Sequence, residues 1–187
     1  MEKLELRILK SVNKENAYIV ERLSELMTES GEKKAITCMS ILMTLHERQG
    51  SLFVVSKNSE DVAYGFFANG VTFKSFKQLS YFAVEPVMRK QGIGKESLVM
   101  AVEKEVDQVA GCCLSCEPHL EDFYETIGFK FKMMSKPLKS GKQLVMLFSS
   151  KQTAINSSHN FFQIEIDEVL ARKNYPGIKE EYGINLS

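Results

Sequence analysis

A short basic segment between a predicted strand and a predicted helix has the residue types of an anion-binding loop. Its residues are Arg89, Lys90, Gln91, Gly92, Ile93, Gly94 and Lys95. The first N–H groups of a helix have no partners inside the helix, and their partial positive charge suits phosphate. Two glycines allow the backbone to approach an anion closely and to adopt unusual torsion angles. The segment therefore predicts a binding site for a phosphate-bearing ligand.

Two common phosphate-binding patterns do not match this segment. A P-loop requires a glycine where Arg89 stands, and it requires Ser or Thr after the lysine, where the chain has Glu96. A dinucleotide-binding fingerprint requires a third glycine where Ser97 stands, directly after an early strand, and here Pro86 intervenes. A third pattern, Arg-x-x-Gly-x-Gly, is complete.

The loop and a second motif together resemble the GNAT superfamily of acetyl-CoA-dependent N-acetyltransferases. The first motif is VEPVMRKQGIGKESL, which has the strand, proline turn, loop and helix of that superfamily. The second is LEDFYETIGFKF, which is similar to its helix-to-strand segment. The resemblance covers residues Leu4 to Phe148. It implies a mixed, mostly antiparallel central sheet flanked by helices, which is a layered α/β (α+β) fold. A C-terminal helical extension is expected beyond this region, from the residue pattern and not from the resemblance.

The resemblance also implies a role for each residue of a cofactor site. The backbone of Phe82, Ala83 and Val84 would pair with the pantetheine arm of acetyl-CoA, the co-substrate. The pyrophosphate would lie on backbone N–H groups of the loop, and Arg89 would support the loop or a phosphate. The N–H groups would come from Gln91, Gly92, Ile93, Gly94 and Lys95, with charge added by Lys90.

Tyr124 matches the superfamily tyrosine that lies near the thioester sulfur. A phenol, with an ordinary pKa of about 10, can protonate a leaving thiolate. The alternative is that Tyr124, like Phe123, is a core aromatic residue.

The residue that takes the proton from the amine is less clearly indicated. Some relatives use a strand glutamate where this chain has Gln78, and an amide cannot act as a base. Glu85 is the predicted catalytic carboxylate, while Glu117, His119 or a chain of water molecules are alternatives. Many relatives also have Asn where Glu117 stands, and a mechanism without a base is compatible with the sequence.

Acceptor specificity is expected from two helices between about Asn13 and Gln49 and from the Asn69–Lys77 hairpin. The first helix carries Glu21, Glu25 and Glu29 at a spacing of four, so one face is acidic. This face either attracts an amine or is a solvated helix surface.

Hydrophobic periodicity predicts the elements that must position these residues. The predicted order is a strand from Leu4 to Lys10, two helices, a β meander that includes Val62 to Ala68, a helix, a strand, a short helix from His119 to Gly128 and two strands. Residues 1–150 are expected to form the acetyltransferase domain. Residues 151–187 are expected to form a polar linker, a C-terminal helix over residues 161–174 and a tail. Deletion of the residues after Ser150 would change solution mass or solubility.

The balance of charged residues bears on which partners the protein can bind. The 187 residues carry 24 basic and 24 acidic side chains, so no overall charge attracts nucleic acid or a membrane surface. The first ten residues lack the apolar core of a signal peptide, and a cytoplasmic protein is expected. Cys113 and Cys116 have ligand-like spacing, but without a second pair of ligands no metal is predicted.

The predicted function is transfer of an acetyl group from acetyl-CoA to a primary amine, by direct attack in a ternary complex. The acceptor is a small-molecule amine or a peptide or protein amine, and a homodimer is expected. The alternative is a non-catalytic acyl-CoA-binding or regulatory protein with the same fold.

Overall fold

The structure is a computed structural model that describes residues 3–69, 76–106, 111–134, 144–149, 177–178 and 180–185. The helix expected between residues 161 and 174 and most of the Asn69–Lys77 hairpin lie outside these ranges. Among the described residues, no helix combines the length and the apolar character needed to span a bilayer.

Seven strands form one sheet in the order β1-β2-β3-β4-β5-β7-β6. The pair β4–β5 is parallel, and the other neighbouring pairs are antiparallel. The predicted mixed, mostly antiparallel sheet is therefore confirmed. The strands are β1 Leu4–Leu9, β2 Gly50–Lys57, β3 Glu60–Asn69, β4 Phe76–Val84, β5 Gly111–Cys116, β6 Phe131–Met134 and β7 Leu144–Ser149.

Helices cover both faces of the sheet. They are α1 Ala17–Met27, α2 Lys34–His46, α3 Ile93–Val106 and α4 Glu121–Glu125. Side chains alternate along β2, so that Phe53 and Val55 pack in the cluster that includes α3, whereas Leu52 and Val54 pack with α1 and α2. Continuous apolar residues in β2 thus supply two cores, one on each face.

An extra residue in β4 separates it from β5. Phe66 of β3 lies opposite Tyr81 and Phe67 lies opposite Leu79, so Ser80 is a bulge. Bulges bend a strand and increase its twist. The parallel register of β4 with β5 ends at Leu79 and Leu114, although β4 continues to Val84 along β3. A gap therefore opens between the two strands toward their C-terminal ends.

The described part of the C-terminal segment packs against α1 and α2. Ile178 and Ile184 are buried among the apolar residues of these helices. The backbone N–H of Asn185 donates to Glu21 Oε1 at 3.2 Å. This segment is therefore part of the core beneath the two helices.

Candidate active site

The glycine loop connects the end of β4 to the first turn of α3. Lys90 and Gly92 have positive φ values of 63° and 81°, in the region that favours glycine. The Gly92 carbonyl accepts from the Glu96 N–H at 3.1 Å, so the helix begins directly after Gly92. Ile93 is buried and anchors the first turn of α3. The N–H groups of this turn have no partners inside the helix, as in the first turn of any helix.

Space around the two glycines suits a close ligand. A Cβ atom built on Gly92 has no neighbour within 4 Å, whereas one on Gly94 would lie 3.3 Å from Val84 Cγ2. The Gly94 backbone therefore lies against the end of β4, and the Gly92 side of the loop is open. This arrangement fits a pyrophosphate group bound by backbone N–H groups.

Arg89 is held from two sides. Its Nε donates to the Val84 carbonyl at 3.0 Å, and its Nη1 lies 2.6 Å from Glu29 Oε2. Glu29 belongs to the 3₁₀ turn Thr28–Ser30 after α1. The ion pair thus joins the loop to the helical pair on the opposite side of the groove.

Two cavities follow the gap between β4 and β5. The larger, with a volume of about 680 Å³, is lined by eight of the predicted cofactor residues: Phe82, Ala83, Val84, Arg89, Lys90, Gly92, Gly94 and Lys95. Gln91 and Ile93 are not among its lining residues. The second cavity, of about 490 Å³, lies toward β5 and shares six residues with the first: Met27, Glu29, Ser30, Phe82, Leu120 and Tyr124.

Tyr124 lies where the two cavities meet. Its ring contacts Phe123 and Phe129 edge to face, at centroid distances of 5.1 and 5.9 Å. Burial raises the pKa of Tyr124 well above its ordinary value, because the phenolate loses hydration there. The side chain is therefore a protonated donor at neutral pH, as a general acid requires.

The second cavity has a polar lining next to Tyr124. Glu117 and His119 both line it, and His119 Nδ1 lies 3.1 Å from Glu117 Oε2. A carboxylate on one ring nitrogen fixes the orientation of an imidazole and leaves the other nitrogen to exchange a proton. Glu29, Glu32 and Ser80 also line this cavity, so it has the chemistry to receive an amine.

Glu85 occupies a different environment from that expected of a base. Its two oxygens accept from Arg22 Nε at 2.7 Å and from Arg22 Nη2 at 2.6 Å. These bonds hold the pKa of Glu85 below its ordinary value. Glu85 lines neither of the two cavities. The structure therefore pairs Glu85 with Arg22 and does not bring it into the cavities that Tyr124 lines, and its catalytic role stays a prediction.

The acidic face predicted for the first helix is divided, because α1 ends at Met27 and Glu29 lies in the following 3₁₀ turn. Ion pairs largely neutralise its three carboxylates. Lys34 of α2 lies 3.3 Å from Glu21 and 3.1 Å from Glu25, and Glu29 pairs with Arg89. Of the three carboxylates, only Glu29 lines the cavities. Gln78 lies in β4 opposite Cys113, also outside both cavity linings.

The four cysteines lie inside the fold, and Cys116 also lines the second cavity. Cys38, Cys112, Cys113 and Cys116 are buried and unbridged. Burial raises the pKa of Cys113 to about 12, so it is a protonated thiol at neutral pH. Within the described ranges, no group of three His, Cys, Asp or Glu side chains is arranged to bind a metal ion.

Several contacts of the site have no signal in the sequence. The Arg22–Glu85 and Glu29–Arg89 pairs join residues about sixty positions apart. In the sequence, nothing distinguishes these four charged residues from charged residues that lie in solvent. The bulge at Ser80 lies in a segment of ordinary β-type residues.

A family model matches the sequence, and solved structures match the fold. A family profile described as an acetyltransferase (GNAT) domain matches residues 23–147. No curated protein sequence matches the chain. Because the profile covers more than half of the chain, the chain belongs to the GNAT acetyltransferase family, and its fold is the one that the resemblance predicted.

Solved structures with the same fold include complexes with the cofactor. A GNAT family acetyltransferase from Brucella melitensis in complex with acetyl-CoA has a TM-score of 0.60 at 12% identity, covering 87% of this chain and 97% of its own. AAC(6')-Ib in complex with ribostamycin and coenzyme A has a TM-score of 0.63 at 12% identity, with 80% and 94% covered. An acetyltransferase from Thermus thermophilus has a TM-score of 0.60 at 16% identity, with 80% and 99% covered.

Proposed function

We propose that this protein transfers the acetyl group of acetyl-CoA to a primary amine by direct attack in a ternary complex. The observation that carries the proposal is the continuous groove between β4 and β5. One end has the glycine loop, and Tyr124 lies where the groove passes into the polar cavity. Cofactor and acceptor can therefore approach the same phenol from opposite sides.

The cofactor side of the groove has the features that acetyl-CoA requires. The backbone of Phe82, Ala83 and Val84 lies beyond the end of the β4–β5 pairing and is available to pair with the pantetheine amides. The N–H groups at the start of α3 receive the pyrophosphate. Lys90 and Lys95 line the same cavity and add positive charge.

The acceptor amine is held in the second cavity. Its nitrogen forms a bond to the thioester carbonyl carbon, and the carbon–sulfur bond breaks. Tyr124 gives its phenolic proton to the departing sulfur. His119, oriented by Glu117, receives a proton from the amine nitrogen, and solvent returns a proton to Tyr124 after the products leave.

The acceptor is a small-molecule amine or an amine of a peptide or protein. Ribostamycin, which is bound in the AAC(6')-Ib structure, is one amine to include in a screen. The protein is proposed to work in the cytoplasm, without nucleic acid or membrane as a partner. The homodimer expected from the resemblance remains a proposal that light scattering can check.

Calorimetric titration with acetyl-CoA tests the cofactor site. The wild type is compared with a Gly92→Glu/Gly94→Glu variant, in which two carboxylates occupy the position of the pyrophosphate. Binding by the wild type that the variant loses supports the site. Absence of binding by the wild type would overturn the proposed function.

A thiol-release assay then tests the reaction. The acceptors are ribostamycin, spermidine, a lysine-containing peptide and a peptide with a free N-terminus. Amine-dependent release of coenzyme A supports an enzyme. Tight binding of acetyl-CoA without release for any of them would favour the alternative of a non-catalytic acyl-CoA-binding protein.

A further inference from the structure

The Glu29–Arg89 ion pair lies across the groove that would receive the cofactor. Glu29 follows α1, and Arg89 is the first residue of the Arg-x-x-Gly-x-Gly loop. The two charged atoms are 2.6 Å apart. Both residues line the larger cavity, together with Gly92 and Gly94.

This pair commits the loop arginine to a protein carboxylate. Arg89 Nε already donates to the Val84 carbonyl, and Nη1 pairs with Glu29. Two of the three guanidinium nitrogens are therefore engaged by the protein. A bound pyrophosphate would compete with Glu29 for the same cation, and the Glu29 charge would repel it.

The position of Glu29 makes exchange of partners feasible. Its side chain is 48% exposed and that of Arg89 is 41% exposed. Exposed ion pairs contribute little net free energy, because both partners retain water and mobility. The carboxylate can therefore leave Arg89 without disturbing the core.

We propose that Glu29 weakens the binding of coenzyme A by competing with its pyrophosphate for Arg89. In the free protein, Glu29 holds Arg89 across the groove. A ligand that brings phosphate charge to the loop takes the place of the Glu29 carboxylate. The inference rests on the proposed function, because it requires that coenzyme A binds in this groove.

Calorimetric titration with coenzyme A tests the competition without any acceptor. Glu29→Gln removes the charge and keeps the shape, so coenzyme A should bind about two- to fivefold more tightly than to the wild type. The gain should shrink between about 0.05 M and about 0.5 M salt, because exposed charges are screened. Glu47→Gln, at an exposed carboxylate just after α2, is the matched control and should leave the affinity unchanged.

A double-mutant cycle separates competition from simple repulsion. If Glu29 acts by occupying Arg89, then Glu29→Gln should change the affinity by less than about 1.5-fold in an Arg89→Gln background. An undiminished gain in that background would overturn the inference, because the effect would then not involve Arg89.

The other outcomes are also decisive. Equal affinity of the wild type and Glu29→Gln at low salt would overturn the inference and leave the proposed function intact. Failure of both proteins to bind coenzyme A would overturn the proposed function and this inference together.

Discussion

At the scale of single residues, the proposed chemistry depends most directly on Tyr124. The ring is held edge to face by Phe123 and Phe129, and burial keeps its hydroxyl protonated. The residue type and motif predicted the role, and the fold supplies the position between two cavities.

Tyr124→Phe removes the donor and retains the packing of the ring. Turnover should fall by about 10²-fold, because general acid catalysis contributes that order of magnitude. The dissociation constant for acetyl-CoA should stay within about twofold, since the phenol acts on the leaving sulfur. Thiol release and calorimetry measure the two quantities.

Tyr18→Phe is the control for this substitution. Tyr18 is exposed and donates to Asp61, far from the groove, so its loss should leave turnover unchanged. Turnover in Tyr124→Phe equal to that of the control would remove Tyr124 from the mechanism.

Glu85 and His119 can be compared as proton acceptors. Glu85→Gln should retain turnover within about threefold, because Arg22 already occupies both carboxylate oxygens. His119→Gln should lower it by about 10²-fold, because the substitution removes the proposed proton acceptor. Thiol release with a responding amine measures both variants, and the reverse ranking would restore Glu85 as the catalytic carboxylate.

Glu85 should also make stability depend on pH. Its pKa is lowered by Arg22, so between the folded value and the ordinary value the unfolded chain binds more protons. The stabilisation is therefore complete above the ordinary pKa and is lost as the pH falls through the folded one.

Urea unfolding of Glu85→Gln measures this contribution. At pH 7, the free energy of unfolding should be about 1 kcal/mol below that of the wild type, an estimate that allows for solvent screening of a partly exposed pair. At acid pH the two proteins should converge. A constant difference across the pH range would show that ionisation of Glu85 does not contribute.

At the scale of elements, the groove results from how β4 ends. The bulge at Ser80 separates β4 from β5, and the chain then turns through Pro86–Met88 into the glycine loop. The exposed backbone of β4 and the first turn of α3 therefore face one cavity.

Gly92→Ala tests the loop conformation. An L-residue at this φ of 81° is strained by about 1 kcal/mol, and relaxation would turn the following N–H groups away from the anion. Coenzyme A affinity should fall about tenfold, equivalent to ~1.4 kcal/mol. Calorimetry measures the change.

Gly183→Ala is the matched control for the loop substitution. Gly183 has a φ of 74° and no neighbour within 4 Å of its Cβ position, yet it lies outside the groove. The Gly183→Ala variant should lose a similar free energy of unfolding and keep its affinity for coenzyme A. Equal affinity for the two variants would mean that the torsion at Gly92 does not shape the anion site.

At the scale of the whole molecule, one sheet connects two apolar clusters. The cluster with α3 supports the glycine loop, and the cluster with α1 and α2 supports the acceptor side. The C-terminal residues Ile178 and Ile184 belong to the second cluster, which couples that segment to the helices beside the groove.

Ile184→Ala should lower the free energy of unfolding by about 2–4 kcal/mol, because it leaves a cavity at a residue that is 1% exposed. Chemical denaturation measures the loss. Val87→Ala, at a side chain that is 79% exposed, should change stability by less than about 0.5 kcal/mol. Similar results for the two variants would show that the C-terminal segment does not pack as described.

Much of the fold was predictable because periodicity and turn residues are local signals. The strand predicted from Leu4 to Lys10 is observed as Leu4–Leu9, and the β-rich run Val62–Ala68 lies within β3. The segment His119–Gly128 was predicted as one short helix. It forms the 3₁₀ turn Pro118–Leu120 followed by α4, because Pro118 starts a tight turn there.

The sequence by itself determined the family, and it predicted the anion loop and the role of the tyrosine, because these features depend on short, ordered patterns of residue type. Only the tertiary structure decided which charged residues meet. Arg22 forms an ion pair with Glu85, and Glu29 forms one with Arg89 at the groove. Contacts between residues about sixty positions apart depend on how strands and helices pack. The residue types of a single sequence do not indicate which of these residues meet in space.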